Sequence, residues 1–151
     1  MIEVMIVVTI MAVLAAVVIQ RTILCTSDAK QSTLKHNIHI LETQLQLYRA
    51  AHVAEFPTIQ NNSLPQLTQS TNVAGQTGPA GADYPLGPYV IDLPPNPFDD
   101  SNTVTAVEKK GAAPARVVGN LGGWQYDQAT GAVWPNHGEY YSKSSKASPV
   151  R

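Results

Sequence analysis

The first twenty residues constrain the fold of this chain more than any other segment. In MIEVMIVVTIMAVLAAVVIQ the one charge is Glu3, and between Val4 and Ile19 the one polar side chain is Thr9. A lone carboxylate at the head of a long apolar helix is costly unless something pairs with it. A secretory signal sequence opens with positive charge instead. Glu3 is therefore the first candidate functional residue.

The length of this segment and its flanking charges leave its placement open. Val4 to Ile19 would form a helix of about 24 Å, whereas a bilayer span needs about 20 residues. A signal-sequence core, a short span and a helix shared with neighbouring molecules all fit that length. Basic residues follow the segment and none precedes it, so the positive-inside rule places the rest of the chain in the cytoplasm unless a basic leader is missing. These basic residues are Arg21, Lys30 and Lys35.

A helical pattern continues beyond the apolar segment. Apolar or aromatic residues recur there at spacings of four and three, which draws one stripe along a helix: Leu34, Ile38, Leu41, Leu45, Tyr48 and His52. Neither Gly nor Pro occurs before Pro57, so we predict one helix of about 50 residues and 75 Å. Residues 1–21 form its apolar half and residues 22–56 its amphipathic half, whose stripe needs a sheet to cover it.

The remainder of the chain predicts a small body. Residues 57–88 are rich in Gln, Asn, Thr, Gly and Pro and predict a connecting loop, with room for one short turn of helix. Residues 89–137 predict an antiparallel sheet with short strands at 89–91, 103–107 and 116–118. Residues 138–151 are polar and predict a frayed tail. The fold class expected from this order is α+β.

The clearest strand signal is a hairpin near the end of the predicted sheet. Residues 124–127 and 132–135 are two short runs separated by a loop that ends in Gly131. Alternation places Trp124 and Tyr126 on one face of their strand, and aromatics of this size can cover the helix stripe. We predict the following helix–sheet packing residues: Leu34, Ile38, Leu41, Leu45, Tyr48, Trp124, Tyr126 and Trp134.

Catalytic and metal-binding patterns are weak. The chain has no Gly-rich phosphate loop, zinc-binding cysteine pair or nucleophile elbow, so we predict no enzyme activity and no cofactor. We interpret His36 and His39 as solvated residues of a polar helix face rather than as metal ligands. Clustered oxygen donors predict a turn with solvated carboxylates rather than a calcium site: Asn96, Asp99, Asp100 and Asn102.

Composition adds three smaller expectations. The formal net charge of −1 gives no argument for a nucleic-acid partner. Cys25 is the single cysteine, so no disulfide can form within the chain. Tyr140 and Tyr141 lie in the predicted tail and are expected to be exposed.

The segment from Ile2 to Ile19 resembles the N-terminal segment of type IV pilins and type II secretion pseudopilins. Those proteins carry a short basic leader, a Gly, and then Phe-Thr-Leu-Ile-Glu-Val before an apolar helix. Glu3 falls on the family's Glu, and Met1 falls where the family has Leu. We hypothesise that the gene model starts inside this motif. In-frame translation upstream should then give Phe-Thr, a Gly and a basic leader, and a stop codon directly before Met1 would contradict this.

Two shorter matches lie in the predicted sheet region. Leu-Pro-Pro-Asn-Pro-Phe at residues 93–98 resembles the Leu-Pro-x-Asp-Pro-Trp turn of major pseudopilins, and the hairpin of residues 124–135 is similar to the end of many bacterial pilin-like proteins. One departure is Gln20, where many relatives have Pro, so the helix has no proline kink at that point.

The resemblance implies a structural subunit with a pilin-like fold. Glu3 would pair with the terminal amine of a neighbouring subunit. The filament core or membrane helix would be built from these residues: Val4, Ile6, Val7, Val8, Ile10, Leu14, Val17 and Val18. The implied partners are further copies of the chain, minor pilin-like subunits, an inner-membrane assembly platform and, for a longer chain, a prepilin peptidase.

The implied location is the bacterial inner membrane, with the body in the periplasm and a filament after assembly. Within the family, the short body, the residue 93–98 turn and the lack of a C-terminal disulfide favour a type II secretion pseudopilin over a pilus subunit for adhesion, motility or DNA uptake. An alternative of another class is a secreted or singly anchored binding protein, against which Glu3 and the helix stripe argue.

Overall fold

The computed structural model describes residues 2–144, apart from the side chains of residues 17–26 and 143–144. The chain divides into two compact units, Met1–Thr33 and Leu34–Arg151. Helix α1, Ile2–Ala51, begins in the first unit and ends in the second. All remaining described elements belong to the second unit, which combines helices with two small sheets. The predicted α+β class is confirmed.

The second unit continues after α1 with short elements. Helix α2 is Pro65–Thr68, and strands β1 and β2 pair antiparallel to form a two-stranded sheet. Strands β3, β4 and β5 form a three-stranded sheet in that order, and helix α3 follows it. The bounds are Ser70–Thr71 for β1, Thr77–Gly78 for β2, Val104–Ala106 for β3, Trp124–Asp127 for β4, Ala132–Pro135 for β5 and Gly138–Ser144 for α3.

The three-stranded sheet is mixed, which corrects the predicted antiparallel sheet. Strands β4 and β5 form the predicted antiparallel hairpin, but β3 pairs with β4 in parallel. Parallel neighbours need a crossover connection of about a dozen residues or more. Residues 107–123 supply this crossover without a helix or strand of their own. A close approach of β3 and β4 requires Gly123, because its φ is 70° and a Cβ there would collide with the Thr103 backbone.

Other segments also differ from the sequence expectations. Residues 89–91 and 116–118 are not strands. The backbone N–H groups of Tyr89 and Val90 both donate to Leu67 O, at 2.8 and 3.0 Å, so they bond to the end of α2 instead of a strand ladder. The predicted loop of residues 57–88 contains α2, β1 and β2, and the predicted tail contains α3.

The two tail tyrosines are half-buried, so the expectation that they are exposed is wrong. Tyr140 packs against the apolar core of the second unit. The Tyr141 hydroxyl accepts a hydrogen bond from Gln125 Nε2 at 2.9 Å. Burial raises the pKa of both phenols, and their mutual interaction adds to the rise for Tyr141. Helix α3 is thus attached to the sheet through its own side chains.

Helix α1 ends without a glycine or a proline. Its last turn closes because Ala54 N–H donates to Arg49 O at 3.1 Å, while Arg49 Nε donates to Ala54 O at 3.2 Å. Val53 and Ala54 have φ values of 52° and 66°, a left-handed conformation that costs such residues about 1–2 kcal/mol each. Burial of His52 offsets this cost, since its ring stacks on Tyr48 at 3.7 Å and its Nδ1 donates to Tyr48 O at 2.9 Å.

One apolar cluster forms the core of the second unit. Helix α1 contributes the middle of its stripe, with Ile38 half-buried at the margin: Leu34, Leu41, Leu45 and Tyr48. The sheet covers this stripe from the other side with Val104, Trp124, Tyr126 and Val133. Loops and α2 complete the cluster with Phe56, Leu64, Leu67 and Leu93. The Tyr126 hydroxyl donates to Pro57 O at 3.0 Å, and burial raises the pKa of this phenol.

Trp134 lies on the other face of the sheet, which corrects the prediction that it covers the helix stripe. In the β4–β5 register Trp134 is opposite Gln125, whereas Val133 is opposite Tyr126. Directly opposed residues of antiparallel strands point to the same face, so Val133 joins the core and Trp134 is half-buried elsewhere. The loop of residues 128–131 fixes this register, and a slip of one residue would exchange the two faces.

The second face of β4 is polar and equally buried. Gln125 is 0% exposed and Asp127 is 1% exposed. The Asp127 carboxylate accepts from Gly111 N–H at 2.6 Å, Ala129 N–H at 3.0 Å and the Thr130 hydroxyl at 2.9 Å. Burial by itself raises the pKa of Asp127, but these hydrogen bonds and the charge of nearby Lys110 outweigh it and hold the pKa below its ordinary value. Asp127 therefore joins the crossover segment to the hairpin turn.

Truncation of the buried stripe should destabilise the second unit strongly. Leu45 is 0% exposed in the core, so Leu45→Ala should lower the free energy of unfolding by about 2–5 kcal/mol. Leu47 on the same helix is 53% exposed, so Leu47→Ala should change it by less than about 0.5 kcal/mol. Urea unfolding of both variants, followed by tryptophan fluorescence, tests this. Equal losses in the two variants would show that the stripe is not the packed face.

The Asp127 carboxylate should make a pH-dependent contribution to stability. Because its pKa is lowered in the folded state, the contribution is complete above the unfolded-state pKa of about 4 and is lost as the pH falls through the lower folded-state value. We expect Asp127→Asn to be less stable than the wild type at pH 7 and the difference to shrink below about pH 4.

Urea unfolding at a series of pH values measures this difference. Asp92→Asn, a change at an exposed carboxylate, is the control and should follow the wild type. A difference between Asp127→Asn and the wild type that stays constant down to pH 2 would contradict the assignment.

Candidate functional site

The first unit carries a continuous apolar surface, which we call the apolar segment and define as residues 2–16. Every described side chain in it is exposed. The large apolar side chains are each at least half exposed: Ile2, Val4, Met5, Ile6, Val7, Val8, Ile10, Met11, Val13 and Leu14. A monomeric soluble protein rarely exposes a contiguous apolar patch larger than a few hundred Å². A surface of this kind marks contact with another protein or with lipid.

The apolar segment has two polar side chains, Thr9 and Glu3, which differ in their hydrogen bonding. The Thr9 hydroxyl lies 2.9 Å from Met5 O and 2.8 Å from Ile6 O and donates to these carbonyls of its own helix. Its polarity is therefore satisfied locally, as is common for threonine in apolar helices. The Glu3 side chain is exposed, and among the described residues it has neither an ion pair nor a side-chain hydrogen bond. Glu3 is the one polar group of the apolar segment that would be left without a partner if burial of the segment removed its water.

The predicted assembly residues divide into two groups. Six of them lie in the apolar segment with exposed fractions between 50% and 67%: Val4, Ile6, Val7, Val8, Ile10 and Leu14. Val17 and Val18 belong to α1, but their side chains lie outside the described residues. No helix within the described part of the chain is long and apolar enough to cross a membrane.

The predicted packing residues lie in the second unit. Seven of the eight, including the half-buried Ile38, contribute to its core, and Trp134 does not. Sequence reasoning missed the polar residues on the other face of β4, such as Gln125 and Asp127. The one signal in the sequence is the alternation Trp-Gln-Tyr-Asp, which places a polar residue after each buried aromatic.

The two helix histidines do not converge with other ligands. His36 and His39 are exposed on α1. His39 lines a shallow groove of about 320 Å³ together with Glu42 and Gln46 of α1 and residues 130–132 of the hairpin. Within the described residues no group of three or more His, Cys, Asp or Glu side chains could hold a metal ion. The groove is open, its lining is about equally polar and apolar, and nothing in it converges on a single point.

The oxygen-rich turn of residues 96–103 is held by hydrogen bonds within the turn and to Gly123. Asn96 is fully buried, and its Nδ2 donates to Gly123 O at 2.8 Å. Asp99 accepts from Ser101 N–H through Oδ1 and from Gly123 N–H through Oδ2, both at 3.0 Å. Hence the solvated turn predicted from sequence is a turn, but Asn96 and Asp99 fasten it to the start of β4. Exposed Asp100 and Asn102 fit the predicted solvation.

The apolar segment offers a large hydrophobic surface with one carboxylate at its start, and the oxygen-rich turn has a structural role. No family model, curated protein or solved structure matches the chain.

Calcium should have little effect on the oxygen-rich turn. Each carboxylate oxygen of Asp99 already accepts an N–H group at 3.0 Å, which leaves it with fewer lone pairs to offer a cation. We therefore expect the unfolding temperature to be the same with calcium and with a chelator. Asp99→Ala should lower it in both media, because two partly buried N–H groups, those of Ser101 and Gly123, lose their acceptor. Thermal unfolding with calcium or chelator tests this, and a calcium-dependent rise in the wild type that Asp99→Ala abolishes would contradict it.

Proposed function

We propose that this chain is a structural subunit of a pilin-like filament, built by packing the apolar segments of many copies against one another. The observation that carries the proposal is the exposure of residues 2–16 as an apolar helix with a single charge, Glu3. Burying each large apolar side chain contributes about 1.5–3 kcal/mol. Ten such side chains in one helix supply a driving force for assembly that a lone exposed helix cannot use.

Glu3 would set the axial register of this packing. When apolar helices pack together, an unpaired carboxylate would lose its water, at a cost of several kcal/mol. Pairing with the terminal amine of a neighbouring copy removes that cost in one register only. Thr9 places no such demand, because its hydroxyl is already bonded within the helix. One charge can therefore select one arrangement among the many that apolar contact alone would allow.

The second unit would form the outer part of the filament. Its core is self-contained, so it can fold in the same way before and after assembly. Its exposed loops, such as residues 108–113, are free to contact other proteins. The proposal needs no catalytic group, in line with the prediction that the chain is not an enzyme.

Within this class we propose a subunit of a type II secretion pseudopilus that supports protein export. The short body, the turn of residues 93–98 and the single Cys25 support this choice over a pilus for adhesion, motility or DNA uptake. The proposed location before assembly is the bacterial inner membrane, with the second unit in the periplasm. The proposed partners are further copies, minor pilin-like subunits, an inner-membrane assembly platform and, if a leader precedes this segment, a prepilin peptidase.

Charge removal at Glu3 should impair assembly but not folding. Glu3→Gln keeps the size of the side chain, and Glu3→Ala removes its hydrogen-bonding group as well. Both variants lose the free energy of pairing with the neighbouring amine, and every 1.4 kcal/mol of it is about a factor of ten in the equilibrium constant for assembly. We therefore expect the yield of sheared filaments to fall about tenfold or more for both variants. The amount of protein in the membrane fraction should not fall. The measurement compares these two quantities in cells.

Glu42→Gln is the matched control, since Glu42 is an exposed glutamate of the same helix in the second unit. It removes the same charge and should leave the filament yield unchanged. Normal filament yield from both Glu3 variants would rule out the register role. Absence of filaments from the wild type would instead favour a singly anchored or secreted binding protein.

A further inference from the structure

The centre of the polar face of β4 is the side chain of Gln125. It is fully buried, and its Nε2 lies within hydrogen-bonding distance of three acceptors. These are Arg116 O at 2.8 Å, Asn136 Oδ1 at 2.9 Å and the Tyr141 hydroxyl at 2.9 Å. The two N–H groups of Nε2 are therefore shared among the crossover segment, the residue after β5 and helix α3.

The orientation of the Gln125 amide follows from these partners. A rotation of the amide by half a turn would place Oε1 against Arg116 O and Asn136 Oδ1, which both carry lone pairs. Asn136 cannot rotate to relieve this, because Val118 N–H donates to its Oδ1 at 2.9 Å while its Nδ2 donates to Val118 O at 2.8 Å. Gln125 Oε1 must therefore point away from this group of acceptors.

Gln125 Oε1 and Thr105 Oγ1 are two buried oxygen atoms that lack a hydrogen-bond partner among the residues that the structure describes. The two residues are directly opposite each other in the parallel register of β3 and β4. Opposed residues of neighbouring strands project to the same face, about 5 Å apart at the backbone. Two buried oxygen atoms without a partner in the described part of the chain thus belong to directly opposed residues on one face of the sheet.

We propose that this region binds one ordered water molecule, which bridges Thr105 Oγ1 and Gln125 Oε1. The Thr105 hydroxyl donates to the water, and the water donates to the amide oxygen, so both buried groups are satisfied. Buried waters in proteins occupy sites of this kind, where polar groups would otherwise lack a partner. By holding the amide from its oxygen side, the water also fixes the Nε2 contacts to Arg116 O and Tyr141. The site would therefore help to hold helix α3 against the sheet.

The test is crystallography of the full chain in detergent, for the wild type and two variants of Thr105. Thr105→Val has the same shape without the hydroxyl, and Thr105→Ser keeps the hydroxyl. We expect density for a water about 2.7–3.2 Å from both oxygens in the wild type and in Thr105→Ser, and its loss in Thr105→Val. Thermal unfolding should show a lower midpoint for Thr105→Val than for Thr105→Ser.

The wild-type structure alone can overturn the proposal, whether or not the variants fold. A direct hydrogen bond from Thr105 Oγ1 to Gln125 Oε1, or density for neither water nor bond, would do so. Retention of the water in Thr105→Val would show that Thr105 is not its ligand. None of these outcomes bears on filament assembly, so the water site is tested separately from the proposed function.

Discussion

Two consecutive carbonyl groups link the helix and the sheet of the second unit to the same short segment. Pro94 O accepts the indole N–H of Trp124 at 2.8 Å, and Pro95 O accepts from Asn37 Nδ2 of α1 at 2.9 Å. Proline has no N–H group, so this segment offers only acceptors, and its fixed φ keeps it extended. Because Leu93 just before it is buried in the core, the segment fastens the sheet and the helix to one another with polar bonds beside apolar contacts.

Strand β4 is buried on both of its faces. Trp124 and Tyr126 belong to the apolar core, while Gln125 and Asp127 are as deeply buried on the other side. A buried polar group is tolerable only when it is hydrogen-bonded. The irregular crossover of residues 107–123 meets that need, since it supplies backbone donors and acceptors that a regular strand would have used in its own ladder. A three-stranded sheet can thus have two interiors of different chemistry.

The features that the sequence predicts well are those with local signals. The stripe from Leu34 to Tyr48 has helical spacing, and the β4–β5 hairpin has alternation and a loop that ends in glycine, so both are visible within short windows. The parallel pairing of β3 has no such signal, because it joins residues about twenty positions apart through a segment without regular structure. Trp134 illustrates a subtler limit: alternation gives the two faces of a strand, but the register decides which face meets the core.

The candidate site shows the same division between local and distant information. The apolar segment and its single carboxylate are fully visible in the sequence, since composition alone defines them. The contribution of the structure is the contrast with the second half of α1, where the same helix presents a narrow stripe that its own unit covers. An apolar stripe is satisfied by one sheet, but a helix that is apolar on all sides needs partners on all sides. Several copies of the same helix can surround one another in this way. The proposal of a filament rests on this geometric difference, and Glu3 adds the one feature that lipid contact alone does not require.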